Sequence, residues 1–134
     1  MQKQRKTIVR DVMEPSFESV ALDDTLDAAA DKMKDRNVDA LAVLEGDKLV
    51  GVLTVSDLHA RAGGDAAALD ALVRDVVSLA VNFCLENHTI EQAAAIMDGG
   101  RVHRLPVVAS DHTMVGIVSL RDLARQCLVE ASPS

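Results

Sequence analysis

Two short stretches of the sequence combine a glycine, a hydroxyl residue and an aspartate at the same spacing. Residues 51–57 and 116–122 both fit the pattern Gly-x-x-Ser/Thr-x-x-Asp. If a helix begins after the hydroxyl residue, this spacing predicts a capping box, in which hydroxyl and acid bind free backbone amides. The same geometry suits a nucleotide, because a helix N-terminus attracts phosphate and a carboxylate accepts hydrogen bonds from ribose hydroxyls. Both interpretations stay open for the four residues concerned, which are Thr54, Asp57, Ser119 and Asp122.

Basic residues near the second motif could bind phosphate. His103 and Arg104 are adjacent in the segment 101–108, and Arg121 lies within the motif itself. Arginine offers a rigid fork of donors and histidine a tunable donor, so the pair suits a phosphate chain. The alternative is the solvated start of a strand, where adjacent polar residues are ordinary. A cation in the first turn of a helix is slightly unfavourable against the helix dipole, which fits a nearby anion without requiring one.

The two motifs belong to a duplicated unit. The sequence Val-Arg-Asp-Val at 9–12 recurs at 73–76, and the same offset of 64 pairs Thr25 with Thr89. One extra residue in the second copy then shifts the offset to 65 for the two motifs. A repeat of this length indicates that one structural unit occurs twice.

Each copy predicts the element order β-α-β-β-α. Leu26, Ala29 and Met33 recur at the spacing of one helix face, and two β-compatible runs around a short polar turn indicate a hairpin. The predicted elements are strands at 17–21, 38–44 and 49–54 with a final helix at 55–62, and strands at 81–85, 102–108 and 114–119 with a final helix at 120–131.

Polar residues and glycines predict where the helices begin and end. Asp23-Asp24 and Asn87-His88 are suited to capping the long helix of each copy. Asn37 and Gly99-Gly100 lie where those helices should end, because both residue types tolerate the left-handed conformation. Residues 65–73 predict a short helix between the copies. The resulting domain prediction is an N-terminal extension at 1–7, a first repeat at 8–62, a linker and helix at 63–71 and a second repeat at 72–131.

Composition restricts the class of protein. The 134 residues are 49% hydrophobic with two Phe and neither Trp nor Tyr, which predicts an aliphatic core. The net charge of −7 argues against nucleic acid and anionic membranes as partners. Two cysteines are too few for a disulfide framework, and no segment reaches the roughly 18 apolar residues that a membrane span requires. We therefore expect a soluble cytoplasmic protein.

The duplication, the two motifs and the Val-Arg-Asp-Val openings resemble a tandem pair of cystathionine-beta-synthase-type (CBS) domains, or Bateman module, over residues 8–131. The resemblance implies an α/β (α+β) fold in which two β-α-β-β-α repeats pack about a pseudo-twofold axis. It also implies a non-enzymatic regulatory module that binds an adenosine-containing ligand in a cleft between the repeats and signals to a separate, unknown protein. A homodimer is expected.

The resemblance assigns roles to individual residues. Asp57 and Asp122 would hold the ribose, with Thr54 and Ser119 beside ribose or phosphate. The segment 101–108 is similar to stretches of the regulatory gamma subunit of AMP-activated protein kinase, where His and Arg meet phosphates. The adenine would contact aliphatic strand residues, for which the candidates are Val20, Val38, Cys84 and Val102. The expected ligand is AMP, ADP or ATP, with S-adenosylmethionine or NAD possible, and no cofactor is required.

The first copy departs from this pattern. It has Asp39-Ala40 in place of His103-Arg104, and Ala42 in place of Pro106. Because a carboxylate repels phosphate, we predict unequal sites. One would suit a phosphorylated ligand, and the other would be degenerate or prefer a less charged adenosine compound.

Other functions have less support in the sequence. The four histidines are scattered, no nucleophile and base occur at a recognisable spacing, and the cysteines and histidines lack the spacing of metal ligands. The main alternative is a ligand-free module that only dimerises or docks on a partner.

Overall fold

The computed structural model describes residues 7–62, 71–77 and 82–131. The elements in chain order are α1 (Val9–Val12), β1 (Ser19–Ala21), α2 (Leu26–Arg36), β2 (Ala40–Glu45), β3 (Lys48–Thr54), α3 (Val55–Ala62), a 3-10 turn (Val73–Asp75), β4 (Cys84–Leu85), α4 (Ile90–Gly100), β5 (Arg104–Val108), β6 (Met114–Ser119) and α5 (Leu120–Ala131). The predicted β-α-β-β-α order is confirmed in both copies. The first strand of each copy begins later than predicted, because its paired part is Ser19–Ala21 or Cys84–Leu85.

The chain forms two compact units. One comprises residues 18–81 and is called the Asp57 unit; the other comprises residues 1–17 and 82–134 and is called the Asp122 unit. Each contains one three-stranded sheet, in which the first strand runs parallel and the third antiparallel to the middle strand. The fold is therefore mixed α+β, as predicted.

Each sheet and its helices enclose an aliphatic core. In the Asp57 unit the long helix contributes Leu26, Ala29 and Met33, which are all buried. The matching residues of α4 are Ile90, Ala93 and Met97. The predicted apolar stripes are confirmed, and burial of this kind contributes about 25 cal/mol per Å² of apolar surface.

The caps of the long helices differ from the prediction. Thr25 and Thr89, one residue after the predicted positions, are the N-caps, and their hydroxyls accept from Ala28 N–H and Gln92 N–H at 3.1 Å. Asp24 and His88 instead accept from backbone amides of the preceding strand, at 2.8 and 3.0 Å. These side chains close the loop before the helix and are therefore not available to cap it.

The C-terminal end of one long helix agrees with the prediction, and that of the other does not. Asn37 ends α2 in the left-handed conformation with φ of 55°, as predicted. Gly99 and Gly100 remain inside α4, and the left-handed residue is Arg101, also with φ of 55°. The offset of 64 pairs Arg101 with Asn37. The two residues have the same backbone conformation and different side chains.

Each Val-Arg-Asp-Val segment opens one copy of the repeat in the sequence. In the structure it packs in the unit that holds the Gly-x-x-Ser/Thr-x-x-Asp motif of the other copy. We call residues 7–14 the first strap and residues 71–77 the second strap. The first strap belongs to the Asp122 unit and the second to the Asp57 unit. Val9 and Val73, the first residues of the two Val-Arg-Asp-Val segments, are both fully buried. Of the linker helix predicted at 65–73, residues 65–70 lie outside the described residues, and Val73 begins the 3-10 turn.

The straps bind through matching backbone hydrogen bonds. Val9 N–H donates to His88 O at 2.8 Å, as Val73 N–H does to Asp24 O. Arg10 N–H donates to Glu86 O at 2.9 Å, and its side chain pairs with the Glu86 carboxylate at 3.1 Å. Arg74 repeats both interactions, with Leu22 O and with the Asp23 carboxylate. Each strap thus fixes the loop that leads into the long helix of its unit.

Candidate functional site

Both motifs lie where the last strand of a unit becomes its final helix. Thr54 ends β3 before α3, and Ser119 ends β6 before α5. Thr54 N–H donates to Asp57 Oδ2 at 2.9 Å, and Asp57 N–H donates back to Thr54 Oγ1 at 3.1 Å. Ser119 and Asp122 make the same pair of bonds, at 3.2 and 3.1 Å. The capping-box interpretation is therefore correct for both motifs.

The capping boxes are compatible with a second role for the two aspartates. Each box uses Oδ2 of the carboxylate, so Oδ1 is the atom that a ribose hydroxyl would reach. Both carboxylates are only half-buried. An aspartate held in this way is preorganised to accept hydrogen bonds, because its rotamer is already fixed by the protein.

The strand before the hairpin turn brings its first residues to the motif. Arg104 is the register partner of Ser119, as Ala40 is of Thr54. The carbonyl of His103 accepts from Leu120 N–H at 2.7 Å. The structure therefore brings the predicted residues His103 and Arg104 next to Ser119 and the first turn of α5, within a single unit.

The same corner carries opposite charge in the two units. In the Asp122 unit the side chains of Arg101, His103, Arg104 and Arg121 are all exposed. The matching positions of the Asp57 unit hold Asn37, Asp39, Ala40 and Ser56. Three arginines thus accompany Asp122, whereas a second carboxylate accompanies Asp57. Arg101 belongs to the segment 101–108 but is not among the predicted site residues, and its position at the end of α4 adds it to the exposed cations of this unit.

The aliphatic candidates for adenine contact differ in how accessible they are. Val38 and Val102 are half-buried and pack beside the core. Pro106, which was predicted as a ligand-binding residue but not as an adenine contact, is half-buried on β5. Val20 is 7% exposed, and Cys84 is completely buried. Burial raises the pKa of the Cys84 thiol to about 12. In this structure Cys84 therefore has no surface to offer to a ligand.

The Asp57 unit also carries an apolar groove on its helical face. The groove has a volume of about 440 Å³, and it is lined by Met33 of α2, by Val55 and His59 of α3 and by Val38, which follows α2. In the Asp122 unit the counterpart of Val55 is Leu120, which is 43% exposed, the only large hydrophobic residue in the described part of the chain that is so exposed.

Comparison with known proteins identifies the family. The family model of the CBS domain matches residues 9–62 and again residues 73–128. The chain belongs to the CBS-domain family. Both copies are matched, so the chain is a CBS-domain pair, and the resemblance drawn from the sequence is confirmed.

Relatives of two kinds are similar to this CBS-domain pair. Hypoxic response protein 1 of Mycobacterium tuberculosis is 33% identical over 89% of this chain and 84% of that protein. The CBS domain-containing protein YhcV of Bacillus subtilis is 34% identical over 87% and 82%. Inosine-5'-monophosphate dehydrogenase of Thermoplasma acidophilum is 32% identical over 98% of this chain, but the chain spans only 25% of that enzyme. The pair therefore resembles both small CBS proteins and one part of larger enzymes.

Solved structures of CBS pairs have the same fold. CBSX2 in complex with AMP superposes with a TM-score of 0.80 at 25% identity, covering 94% of this chain and 99% of that one. Hypoxic response protein I with two coordinated zinc ions gives 0.78 at 31% identity, covering 90% and 98%. Within the described residues of this chain, no three His, Cys, Asp or Glu side chains gather as metal ligands would. No helix in the described ranges is long and apolar enough to cross a membrane.

Proposed function

We propose that this CBS-domain pair is a non-enzymatic, cytoplasmic regulatory module that binds an adenosine phosphate of the AMP, ADP or ATP type at the Asp122 motif and signals to a separate protein. The main support for the proposal is that one unit contains both a capping box and four exposed basic residues, three arginines and a histidine. The AMP complex of CBSX2, at 25% identity, supports this ligand class.

The roles follow from the chemistry of each group. The Asp122 carboxylate would accept from the ribose hydroxyls through Oδ1, while the Ser119 hydroxyl and the N-terminus of α5 face the phosphate. Arg104 and Arg121 would supply charge-assisted hydrogen bonds, each contributing about 1.5–3 kcal/mol. Half-buried Val102 and Pro106 would contact the adenine ring.

The Asp57 site would discriminate against phosphates. Its capping box is intact, but Asp39 occupies the position of His103. The positions that match the three arginines hold Asn37, Ala40 and Ser56. Two carboxylates disfavour an anion and tolerate a neutral or cationic adenosine compound such as S-adenosylmethionine. We therefore expect one phosphorylated ligand per chain.

Calorimetric titration with AMP, ATP and S-adenosylmethionine tests this proposal. Wild-type protein should bind AMP or ATP at one site per chain, and Asp122→Asn should lose binding while retaining an acceptor for the capping bond. Asp57→Asn is the matched control and should bind AMP normally. Equal loss of AMP binding in both variants would contradict the assignment to the Asp122 motif. If none of the three compounds binds to the wild-type protein, the proposed ligand class is refuted.

The similarity to enzymes covers only a small part of each enzyme. The chain spans 25% of the dehydrogenase of Thermoplasma acidophilum and 21% of a homoserine O-acetyltransferase of Methanosarcina acetivorans. We propose that the pair itself catalyses no reaction. Hydrolysis of ATP by the pure protein, lost in Asp122→Asn, would overturn this.

A module that dimerises or docks without a ligand is the second candidate. The apolar groove of the Asp57 unit and the exposed Leu120 favour it, because unpaired apolar surface of this kind is typical of interaction sites. We propose a homodimer formed through these helical faces. Light scattering should give twice the chain mass for wild type and the monomer mass for Leu120→Lys, and a monomeric wild type would refute the dimer.

A further inference from the structure

The first strap reaches the edge of the sheet that carries the Asp122 motif. Glu14 N–H donates to Ile117 O at 2.7 Å, and Ile117 N–H donates to Glu14 O at 2.9 Å. Ile117 lies on β6, two residues before Ser119. One end of the strap therefore pairs with the strand whose last residue caps the motif helix.

Packing between the strap and β6 is close. A Cβ atom on Gly116 would lie 2.7 Å from Glu14 O and 2.9 Å from Met13 Sδ, so only glycine allows this approach. The buried Val9, with Val12 and Met13, packs into the same core as Val118 of β6. A displacement of the strap must therefore disturb the strand that positions Ser119.

The other end of the strap holds the loop before α4. Two backbone bonds, from Val9 N–H and Arg10 N–H, and the Arg10–Glu86 ion pair fix this loop. The chain then runs from residue 17 directly into the Asp57 unit. The strap thus lies between the sheet of the Asp122 motif and one of the two points at which the chain passes from one unit to the other.

From these contacts we infer that the first strap is a conformational latch coupled to the Asp122 motif. The closed latch supports Ser119 and the start of α5, and a ligand on the motif stabilises the closed latch. Opening of this segment breaks its backbone bonds to β6 and to the loop before α4, so the loss of one of these bonds makes opening easier. The part of the inference that concerns the ligand rests on the proposed function, whereas the coupling itself does not.

Amide hydrogen exchange of the full chain tests the coupling without ligand. Glu14→Pro removes the N–H that bonds to Ile117, and Glu14→Ala is the matched control that keeps it. Glu14→Pro should raise exchange at Val9 and Arg10 about two- to tenfold, the effect of one hydrogen bond. It should raise exchange equally at Leu120 and Asp122, whose amides bond to His103 O and Ser119 Oγ.

The Asp57 unit supplies internal reference amides, two in the second strap and two at the start of α3. Val73, Arg74, Val55 and Asp57 should exchange as in the wild type. Faster exchange in the strap with no change at Leu120 and Asp122 would overturn the latch. If Glu14→Pro does not fold, Arg10→Ala, which removes the exposed ion pair, gives the same comparison at the other end of the strap.

AMP then tests the ligand-linked part. At 100 times its dissociation constant, AMP should slow exchange at Val9, Arg10 and Glu14 by up to about 100-fold and leave Val73 and Arg74 unchanged. Tight AMP binding in calorimetry with no protection of the strap would overturn the ligand link. If AMP does not bind wild type, the proposed function fails, and the comparison of Glu14→Pro with Glu14→Ala alone decides the latch.

Discussion

Ser119 and Asp122 each donate a backbone N–H to the side chain of the other, at 3.2 and 3.1 Å. This reciprocal pair does two things at once. It satisfies amides at the start of α5, and it fixes the Asp122 carboxylate beside the exposed His103, Arg104 and Arg121. The residues that cap α5 are therefore the same residues that we propose as ligand contacts, with Oδ2 of Asp122 in the cap and Oδ1 proposed for the ribose.

Removal of either hydroxyl cap should lower stability. Ser119→Ala and Thr54→Ala each remove the acceptor for one helix amide, so the free energy of unfolding should fall by about 1 kcal/mol in both variants. Urea denaturation measures this. Because Ser119 is also assigned to the ligand, only Ser119→Ala should weaken AMP binding, and unchanged stability in both variants would contradict the caps.

The Cys84 thiol should be unreactive in the folded protein. Its side chain is fully buried, and burial raises its pKa to about 12 from 9.0. In a Cys127→Ala background, a thiol reagent at pH 8 should label Cys84 only after unfolding. Equal labelling rates for native and urea-unfolded protein would contradict this expectation.

Stability should depend on the same thiol at high pH. The folded state holds the proton more tightly, so the contribution of Cys84 is fully present below pH 9 and is lost as pH rises toward 12. The loss should approach about 1.4 kcal/mol per pH unit. Urea denaturation at several pH values should show this additional fall in the free energy of unfolding in the wild type. Cys84→Ala, which keeps every other titratable residue, should not show it.

Arg101 should combine a cost to stability with a benefit to binding. It ends α4 with φ of 55°, a conformation that glycine adopts without strain. Arg101→Gly should therefore raise the free energy of unfolding by about 0.5–1 kcal/mol, measured in urea, and weaken AMP binding. Arg101→Lys should keep both wild-type properties more closely. A stabilised variant with unchanged AMP affinity would remove Arg101 from the phosphate site.

The turn of the first hairpin should require glycine. Gly46 has φ of +67°, and a Cβ there would meet nothing within 4 Å, so Gly46→Ala changes only the conformational energy. We expect a loss of about 1 kcal/mol in urea denaturation. Gly99→Ala, inside α4 and equally free of contacts, is the matched control and should instead stabilise by up to about 1 kcal/mol.

The sequence by itself determined the repeated β-α-β-β-α order and the residue spacing of both capping boxes. A capping box joins residues three apart, and an apolar stripe repeats within one helix, so their physics is local and readable from spacing. The repeat offset also placed Asp39 and Ala40 opposite His103 and Arg104, and the prediction of unequal sites follows from that difference. Local competition caused the misplaced caps, since Asp24 and His88 bond the preceding strand while Thr25 and Thr89 cap the helix.

Only the tertiary structure decided how distant segments combine. The Arg10–Glu86 ion pair spans 76 residues, and identical Val-Arg-Asp-Val segments cannot reveal which unit each will pack on. The same reason applies to Cys84, whose place on a predicted strand did not show whether a ligand could reach its side chain. Long-range contacts are set by how all elements pack together, because a residue's burial depends on surfaces that the chain brings together only when it folds.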